Sequence, residues 1–307
     1  MAGHRFSRGE DTVPNFFIIG AARSGTTALW SQLAGHPEVF MPPNLLHKEP
    51  AYFSDLKGRW CTWREYLGLF RGAPTGVMAV GEASTAYLTD PSTPPRLAEF
   101  RPDAKLIAIL RNPVDRAYSL YHWMTSEGYE YAPTFESALR LEARRAADER
   151  FRWHNPEYFY NYMYLGSGRY GEQIERWFRH FPRHQLLILV FEEAMADPLR
   201  AYQEVCRFLG VSTDVLPGTP VRNASRVAAF PPFQYVLRHV VRRLPRTRRG
   251  RFATKEERDA LLALGTLDRR PSPLAPERRA ELLRCFESDI EQLAELTGID
   301  FPARWLN

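Results

Sequence analysis

Long apolar runs are missing from this 307-residue chain: stretches such as Phe16 to Ile19 and Leu186 to Phe191 fall far short of the roughly 20 residues a membrane-spanning helix needs. Cysteine is scarce. Cys61, Cys206 and Cys285 stand far apart with no paired spacing, which excludes a disulfide framework and a cysteine zinc site; no metal site is expected. The opening MAGHRFSRGEDTVPN lacks the apolar core of a secretory signal, so the expectation is a reducing, cytoplasmic compartment. No repeat or low-complexity tract interrupts the chain. Neither sign of charge dominates: 41 Lys and Arg against 36 Asp and Glu leave a net charge of +5, an excess that favours anionic ligands but does not imply nucleic acid.

What is present has globular composition, with 44% hydrophobic and 25% charged residues, enough for a sizeable core. Phe16 to Ile19 suits a buried strand ending at Gly20, and Thr26 to Ala34 reads as a helix. Val77 to Val80, Leu106 to Leu110 and Leu186 to Phe191 are further apolar segments, read as strands. Helices are expected from Pro113 to Leu120, Phe135 to Ala147, Tyr170 to Phe181 and Pro198 to Leu209, the last closing at Gly210. Alternating strands and helices predict an α/β fold: a P-loop-like, mainly parallel sheet flanked by helices on both faces, with ligands at the carboxyl ends of the strands. We expect a single domain over 1–307, with an α/β core over 13–210 and an irregular basic excursion over 217–273. A helix within 274–307, from Pro276 to Leu296, is expected to pack on that core.

Gly20-Ala21-Ala22-Arg23-Ser24-Gly25-Thr26-Thr27 has the two glycines of a phosphate cradle, set between a strand and a helix. Such a loop aims backbone N–H groups and a helix N-terminus at an anion. In a nucleotidase the residue after the second glycine is Lys and a Ser or Thr holds magnesium. Here that Lys is Thr26, which suits a nucleotide with one 5′-phosphoryl position to hold. Arg23 supplies a permanent positive charge for an anionic leaving group; Ser24, Gly25, Thr26 and Thr27 complete the donor set. A kinase or nucleotidase stays open on the loop alone, opposed by Thr26 and by the lack of a magnesium carboxylate after Leu110. So does a non-catalytic anion-binding protein. Arg111 follows the next strand and Ser119 lies eight residues on, a fork and a short donor for a second phosphate.

With these motifs the chain resembles the PAPS-dependent sulfotransferases, enzymes that use 3′-phosphoadenosine 5′-phosphosulfate, in the branch of the heparan sulfate and related carbohydrate enzymes with its bacterial members. Gly20 to Thr27 with His36-Pro37 is similar to that family's 5′-phosphosulfate loop, and Leu106 to Ser119 to its 3′-phosphate motif. Lys48-Glu49 before Tyr52-Phe53, Gly81-Glu82-Ala83-Ser84 with Tyr87, Gly168-Arg169-Tyr170 with Trp177, and Phe208-Leu209-Gly210 extend the likeness over most of the chain. The resemblance implies PAPS as co-substrate, PAP as product, and sulfuryl transfer to a hydroxyl or amine of a glycan, glycolipid or glycosylated natural product. It implies Glu49 as base, Lys48 and Arg23 as charge partners, and Arg226, with Asn223 and Ser225, in a loop over the donor's 3′-phosphate. Two departures stand out: Arg23 replaces a loop lysine, and Ala83 replaces a lysine beside the sulfonate, for which Lys48 or His122 could compensate, although His122 is read first as a packed or surface histidine.

Arg238 to Arg251 packs seven arginines into fourteen residues. Phe233, Val236, Leu237, Val240 and Val241 make its beginning an amphipathic helix until Pro245 interrupts it. The expected role borders the acceptor entrance, with a peripheral contact to a membrane surface among its partners.

Overall fold

The computed structural model describes residues 13–43, 48–55, 62–155, 157–218, 226–243 and 255–306. Along the chain these form β1 (Phe16–Gly20), α1 (Thr26–Ala34), β2 (Val39–Phe40), α2 (Trp63–Gly68), β3 (Ala79–Ala83), α3 (Ala86–Thr89), α4 (Thr93–Phe100) and β4 (Lys105–Leu110). Next come α5 (Pro113–Ser126), α6 (Phe135–Ala147), α7 (Glu149–His154) and α8 (Tyr170–Phe178). Then follow β5 (Leu186–Val190), α9 (Phe191–Ala196), α10 (Pro198–Leu209), β6 (Val227–Ala228), α11 (Pro231–Arg243), α12 (Lys255–Ala263) and β7 (Thr266–Leu267). The last helices are α13 (Pro276–Arg284), α14 (Glu287–Thr297) and α15 (Phe301–Trp305). Among the described residues no helix is long and apolar enough to cross a membrane.

The chain divides into two compact units, one made of Met1–Leu110 with Arg176–Val221 and the other of Arg111–Glu175 with Arg222–Asn307. The first holds a five-stranded parallel sheet in the order β2-β3-β1-β4-β5. Its central strands are buried on both faces, which is why they read as unbroken apolar runs in the sequence rather than alternating ones. On one face Phe16, Ile18, Ile107, Ile109 and Leu189 pack with Leu29, Trp30 and Leu33 of α1 and with Tyr202, Val205 and Leu209 of α10. Each such side chain contributes about 1.5–3 kcal/mol when fully buried. Helix α10 is delimited as expected: Asp197 accepts from the Arg200 N–H at 3.0 Å, Pro198 opens it, and Gly210 closes it at φ 82°. The other face carries Phe17, met edge-on by Phe53 at 6.1 Å, and Glu82 beside Phe17 in register.

Strand β3 runs two to three residues later than the Val77 to Val80 expectation, through Gly81 and Glu82. Gly81 stays in the strand because the Phe16 ring occupies the space a side chain there would fill. The two-residue edge strand β2 pairs with Ala79 and Val80; it is too short to leave a periodic signal.

In the second unit α5 continues past Leu120 to Ser126, its end supported by Thr125 donating to the Tyr121 carbonyl and Ser126 to that of Trp123, both at 3.0 Å. A buried ion pair joins α6 to the segment after α5: Arg145 donates to both Glu130 oxygens at 2.6 and 2.7 Å, and the Tyr164 hydroxyl adds a third donor at 2.9 Å. The excursion proves to contain α11, α12 and the antiparallel pair β6 and β7. The expected helix from Pro276 to Leu296 is two helices, α13 and α14. The turn between them is tightened by Cys285 and Phe286 N–H groups donating three residues back, to Leu282 and Leu283. That break lets Phe286 enter the core beside Gly168. Tyr170 is fully buried here beside Trp305, and Trp177 is fully buried within the first unit beside Phe181.

Candidate functional site

The loop from β1 to α1 has the backbone its glycines permit. Gly25 takes φ 84° immediately before α1, and Arg23 takes φ 68°, the left-handed region that non-glycine residues rarely occupy. A Cβ at Gly20 would lie 2.7 Å from that of Leu88, so the loop leaves the strand under a close contact only glycine allows. No side chain caps α1, whose first turn therefore offers its N–H groups outward from Thr26 and Thr27. The Ser24 hydroxyl is buried and has no hydrogen-bond partner among the described residues. An unpartnered buried hydroxyl next to an uncapped helix N-terminus is a site prepared for acceptor oxygens, which an anion supplies.

Lys48 and Glu49 meet in the same unit. The Lys48 Nζ donates to Glu49 Oε1 at 2.8 Å, and the Thr85 hydroxyl donates to Oε2 at 2.9 Å. Lys48 is 4% exposed and Glu49 40%, so the cation is enclosed while the carboxylate, held at both oxygens, still reaches solvent. The Lys48 carbonyl accepts from the Ala83 N–H at 3.3 Å, which ties this turn to the end of β3.

Behind Glu49 lies a carboxylate with no route to water. Glu82 is fully buried and accepts from the Tyr66 and Tyr87 hydroxyls, each at 2.8 Å, and from Ser84 at 2.6 Å. Burial, only partly offset by those donors, pushes its carboxyl up to about 7, and the nearby Glu49 charge adds to the rise. The Ser84 oxygen accepts in turn from the Ala51 N–H at 2.9 Å. Ala51 is held at φ 48°, a conformation that costs roughly 1–3 kcal/mol for a residue with a Cβ. The chain Glu82–Ser84–Ala51 thus pins the turn carrying Glu49.

In the second unit Arg111 precedes the Asn112 cap of α5, whose side chain accepts from Val114 and Asp115 N–H groups at 3.1 and 3.3 Å. Ser119 lies half-buried on that helix, and Arg226 is exposed just before β6. A cleft of about 350 Å³ runs along α5, lined by Tyr118, His122 and Thr125, by Ala228 and Ala229, and by Arg269. His122 is clasped edge-on by Tyr118 at 4.5 Å and Tyr121 at 5.3 Å. Burial drives its imidazole down to about 4, so at neutral pH it carries no charge. His122 is thus the packed, neutral histidine that was the first expectation for it, and it supplies no cation at neutral pH.

The structure gathers Arg23, Ser24, Gly25, Thr26 and Thr27 on one loop and Lys48 with Glu49 on one turn, all in the first unit; Arg111, Ser119 and Arg226 belong to the second. Asn223 and Ser225 lie outside the described residues. Sequence reasoning missed Thr85, Arg269 and the Glu82 network. Thr85 follows directly on the quoted motif, and Arg269 sits in a stretch with no periodicity to mark it.

Comparison with known proteins gives a consistent result. Residues 13–228 match the family model described as sulfotransferase domain. The human bifunctional heparan sulfate N-deacetylase/N-sulfotransferase 3 is 33% identical over 206 residues, 66% of this chain, which spans only 23% of that protein's length. The mouse heparan sulfate glucosamine 3-O-sulfotransferase 6 is 27% identical over 294 residues, covering 95% of this chain and 74% of its own. Among solved structures, the sulfotransferase from Alicyclobacillus acidocaldarius superimposes with a TM-score of 0.69 at 28% identity, over 95% of this chain and 98% of that one.

Proposed function

Because this chain belongs to the sulfotransferase domain family, we propose that it transfers a sulfuryl group from PAPS to a hydroxyl or amine of an acceptor. The observation that carries this reading is the orphan Ser24 hydroxyl in a lysine-free loop at an uncapped helix N-terminus. That cradle fits a nucleotide 5′-phosphosulfate, with Thr26 and Thr27 adding hydroxyls. When bound, PAPS supplies an activated sulfuryl group and a phosphate leaving group. Arg23 and the loop N–H groups stabilise the negative charge that grows on the leaving oxygen. Glu49 accepts the proton of the attacking hydroxyl or amine, and its part-exposed carboxylate leaves room for an acceptor to approach. Lys48 and Thr85 fix the direction of that carboxylate, and the Lys48 ammonium offsets negative charge next to the transferred group. Arg111, Ser119 and Arg226 are assigned to the 3′-phosphate, with residues 13–210 as the donor-binding core.

The acceptor is proposed to be carbohydrate-bearing, on the support of the likeness to heparan sulfate enzymes. The test has two stages. PAP should raise the melting temperature of the protein by several degrees where ATP with magnesium does not, since a ligand that binds only the folded state stabilises it. Sulfate label from PAPS should then appear on an amino sugar or glycan in an acceptor panel. Stabilisation by ATP with magnesium and none by PAP sinks the proposal in favour of a kinase-like protein; PAP binding without label on any acceptor favours a non-catalytic relative.

A further inference from the structure

Helix α11 buries one face and leaves another bare. Inward, the Gln234 amide donates to the carbonyls of Ser126 and Leu262 at 3.0 and 2.9 Å, and Arg238 donates to the Glu127 carbonyl at 2.6 Å with its guanidinium 3.8 Å over the Tyr129 ring. Val241 completes that buried face. Outward, Phe233, Val236 and Val240 follow one another at helical spacing and are 53%, 57% and 54% exposed. Leu264, 75% exposed, stands on the turn whose Gly265 lies against Leu237 of the same helix. Single exposed apolar residues are ordinary, whereas a stripe along a helix that is already anchored on its other side is not.

The stretch of sequence that carries this stripe is basic: between Asp214 and Glu256 it has no acidic residue but nine arginines and Lys255, while acidic groups come from neighbouring elements, Glu127 after α5 and Asp259 on α12. Arg242 and Arg243 stand exposed in the last turn of α11, Arg243 seven residues beyond Val236 on the same side. Arg238 is not part of this group, being committed inward to Glu127 and Tyr129.

We infer that the outer face of α11 docks this protein onto an anionic lipid bilayer. A soluble polyanion such as a sulfated glycan or nucleic acid would engage the arginines and leave Phe233, Val236 and Val240 in water. A bilayer with acidic headgroups satisfies both halves: the apolar stripe enters the headgroup and acyl boundary while the arginines remain at the phosphate level. The inference goes beyond the sulfotransferase reading and uses none of the residues assigned to it, so the two fail separately.

The test is vesicle flotation of the full chain. Binding is expected to vesicles of mixed phosphatidylcholine and phosphatidylglycerol, absent with phosphatidylcholine alone, and weakened by salt. The double variant Arg242→Gln, Arg243→Gln should lower the partition coefficient about thirtyfold, and the triple variant Phe233→Ser, Val236→Ser, Val240→Ser by more than about a hundredfold. PAP-induced stabilisation should be unchanged in both, which certifies the fold because these side chains face water. Three results overturn the inference: no binding of the wild type to anionic vesicles at low salt, wild-type binding by the triple serine variant, or a wild-type dimer in gel filtration that the triple variant converts to monomer.

Discussion

Glu82→Gln replaces a carboxyl that titrates inside the protein with an amide of nearly the same shape that does not titrate. In the folded chain this carboxyl is raised from 4.5 to about 7, and in the unfolded chain it returns to its ordinary value. Between those two pH values the native state holds a proton that the unfolded state has released, so wild-type stability falls as pH rises through the window and levels off above it. At about 1.4 kcal/mol per pH unit, the gap between 4.5 and about 7 makes the loss about 3 kcal/mol. Glutamine carries no such dependence. Its oxygen keeps the Tyr66 and Tyr87 donors, but its NH2 group faces the Ser84 hydroxyl, which already accepts from Ala51. At pH 5 the protonated wild-type carboxyl turns its own O–H on Ser84 in the same way, so the two proteins should be about equally stable there. At pH 8 the variant should be the more stable, by up to about 3 kcal/mol. Urea unfolding of both proteins at several pH values reads the difference directly. Stability curves that stay parallel from pH 5 to 8 would show that Glu82 does not titrate in this range and would refute the reasoning.

Glu49→Gln should cut turnover roughly a hundredfold to ten-thousandfold while PAP affinity changes little, because the amide keeps the shape but cannot take the acceptor's proton; single-turnover transfer and calorimetric PAP binding separate the two. Arg111→Ala should weaken PAP about tenfold to a hundredfold and AMP hardly at all, since AMP lacks the 3′-phosphate assigned to that guanidinium; equal losses contradict the assignment. Arg145→Met strands the buried Glu130 without its bidentate partner and should cost about 3–5 kcal/mol of stability. Adding Glu130→Leu to it removes the stranded carboxylate but leaves the Tyr164 hydroxyl and the Ala132 N–H without their acceptor, so it should recover only part of that loss; urea unfolding of Arg145→Met with no loss beyond about 1 kcal/mol would show that the pair is not needed.

The parts of the site written in one stretch of chain were legible from sequence. Gly20 to Thr27 announces itself because the chemistry needs two glycines at fixed spacing between a strand and a helix, and the structure places both there. The support of Glu49 was not legible, since Thr85, Ser84 and Glu82 reach it from another strand, and only the fold brings residue 51 against residue 84. A local sequence window also makes Val77 to Val80 look like the whole of β3, because nothing in it reveals that the Phe16 ring will cover Gly81. The tail failed in the opposite sense. Its apolar spacing is continuous from Leu282 to Leu296, and the break after Arg284 comes from the core drawing in Phe286, a demand that periodicity does not record. His122 was legible only as a packed or surface residue, and its neutrality follows from the burial that the fold provides.

Neither compact unit is a continuous piece of chain, and the order of synthesis therefore matters. The sheet is laid down through β4, the chain then builds α5 to α8 elsewhere, and only afterwards does β5 arrive to pair with Leu106 to Leu110 along their full length. Until Leu186–Val190 leaves the ribosome, β4 is an apolar edge strand with unsatisfied N–H and C=O groups, the kind of template on which nascent chains associate. A fragment ending near Glu175 retains the phosphate loop, Lys48 and Glu49 yet keeps that edge open. The unit that carries the phosphate loop is thus complete only when both Met1–Leu110 and Arg176–Val221 have been made, and no single cut in the chain isolates it.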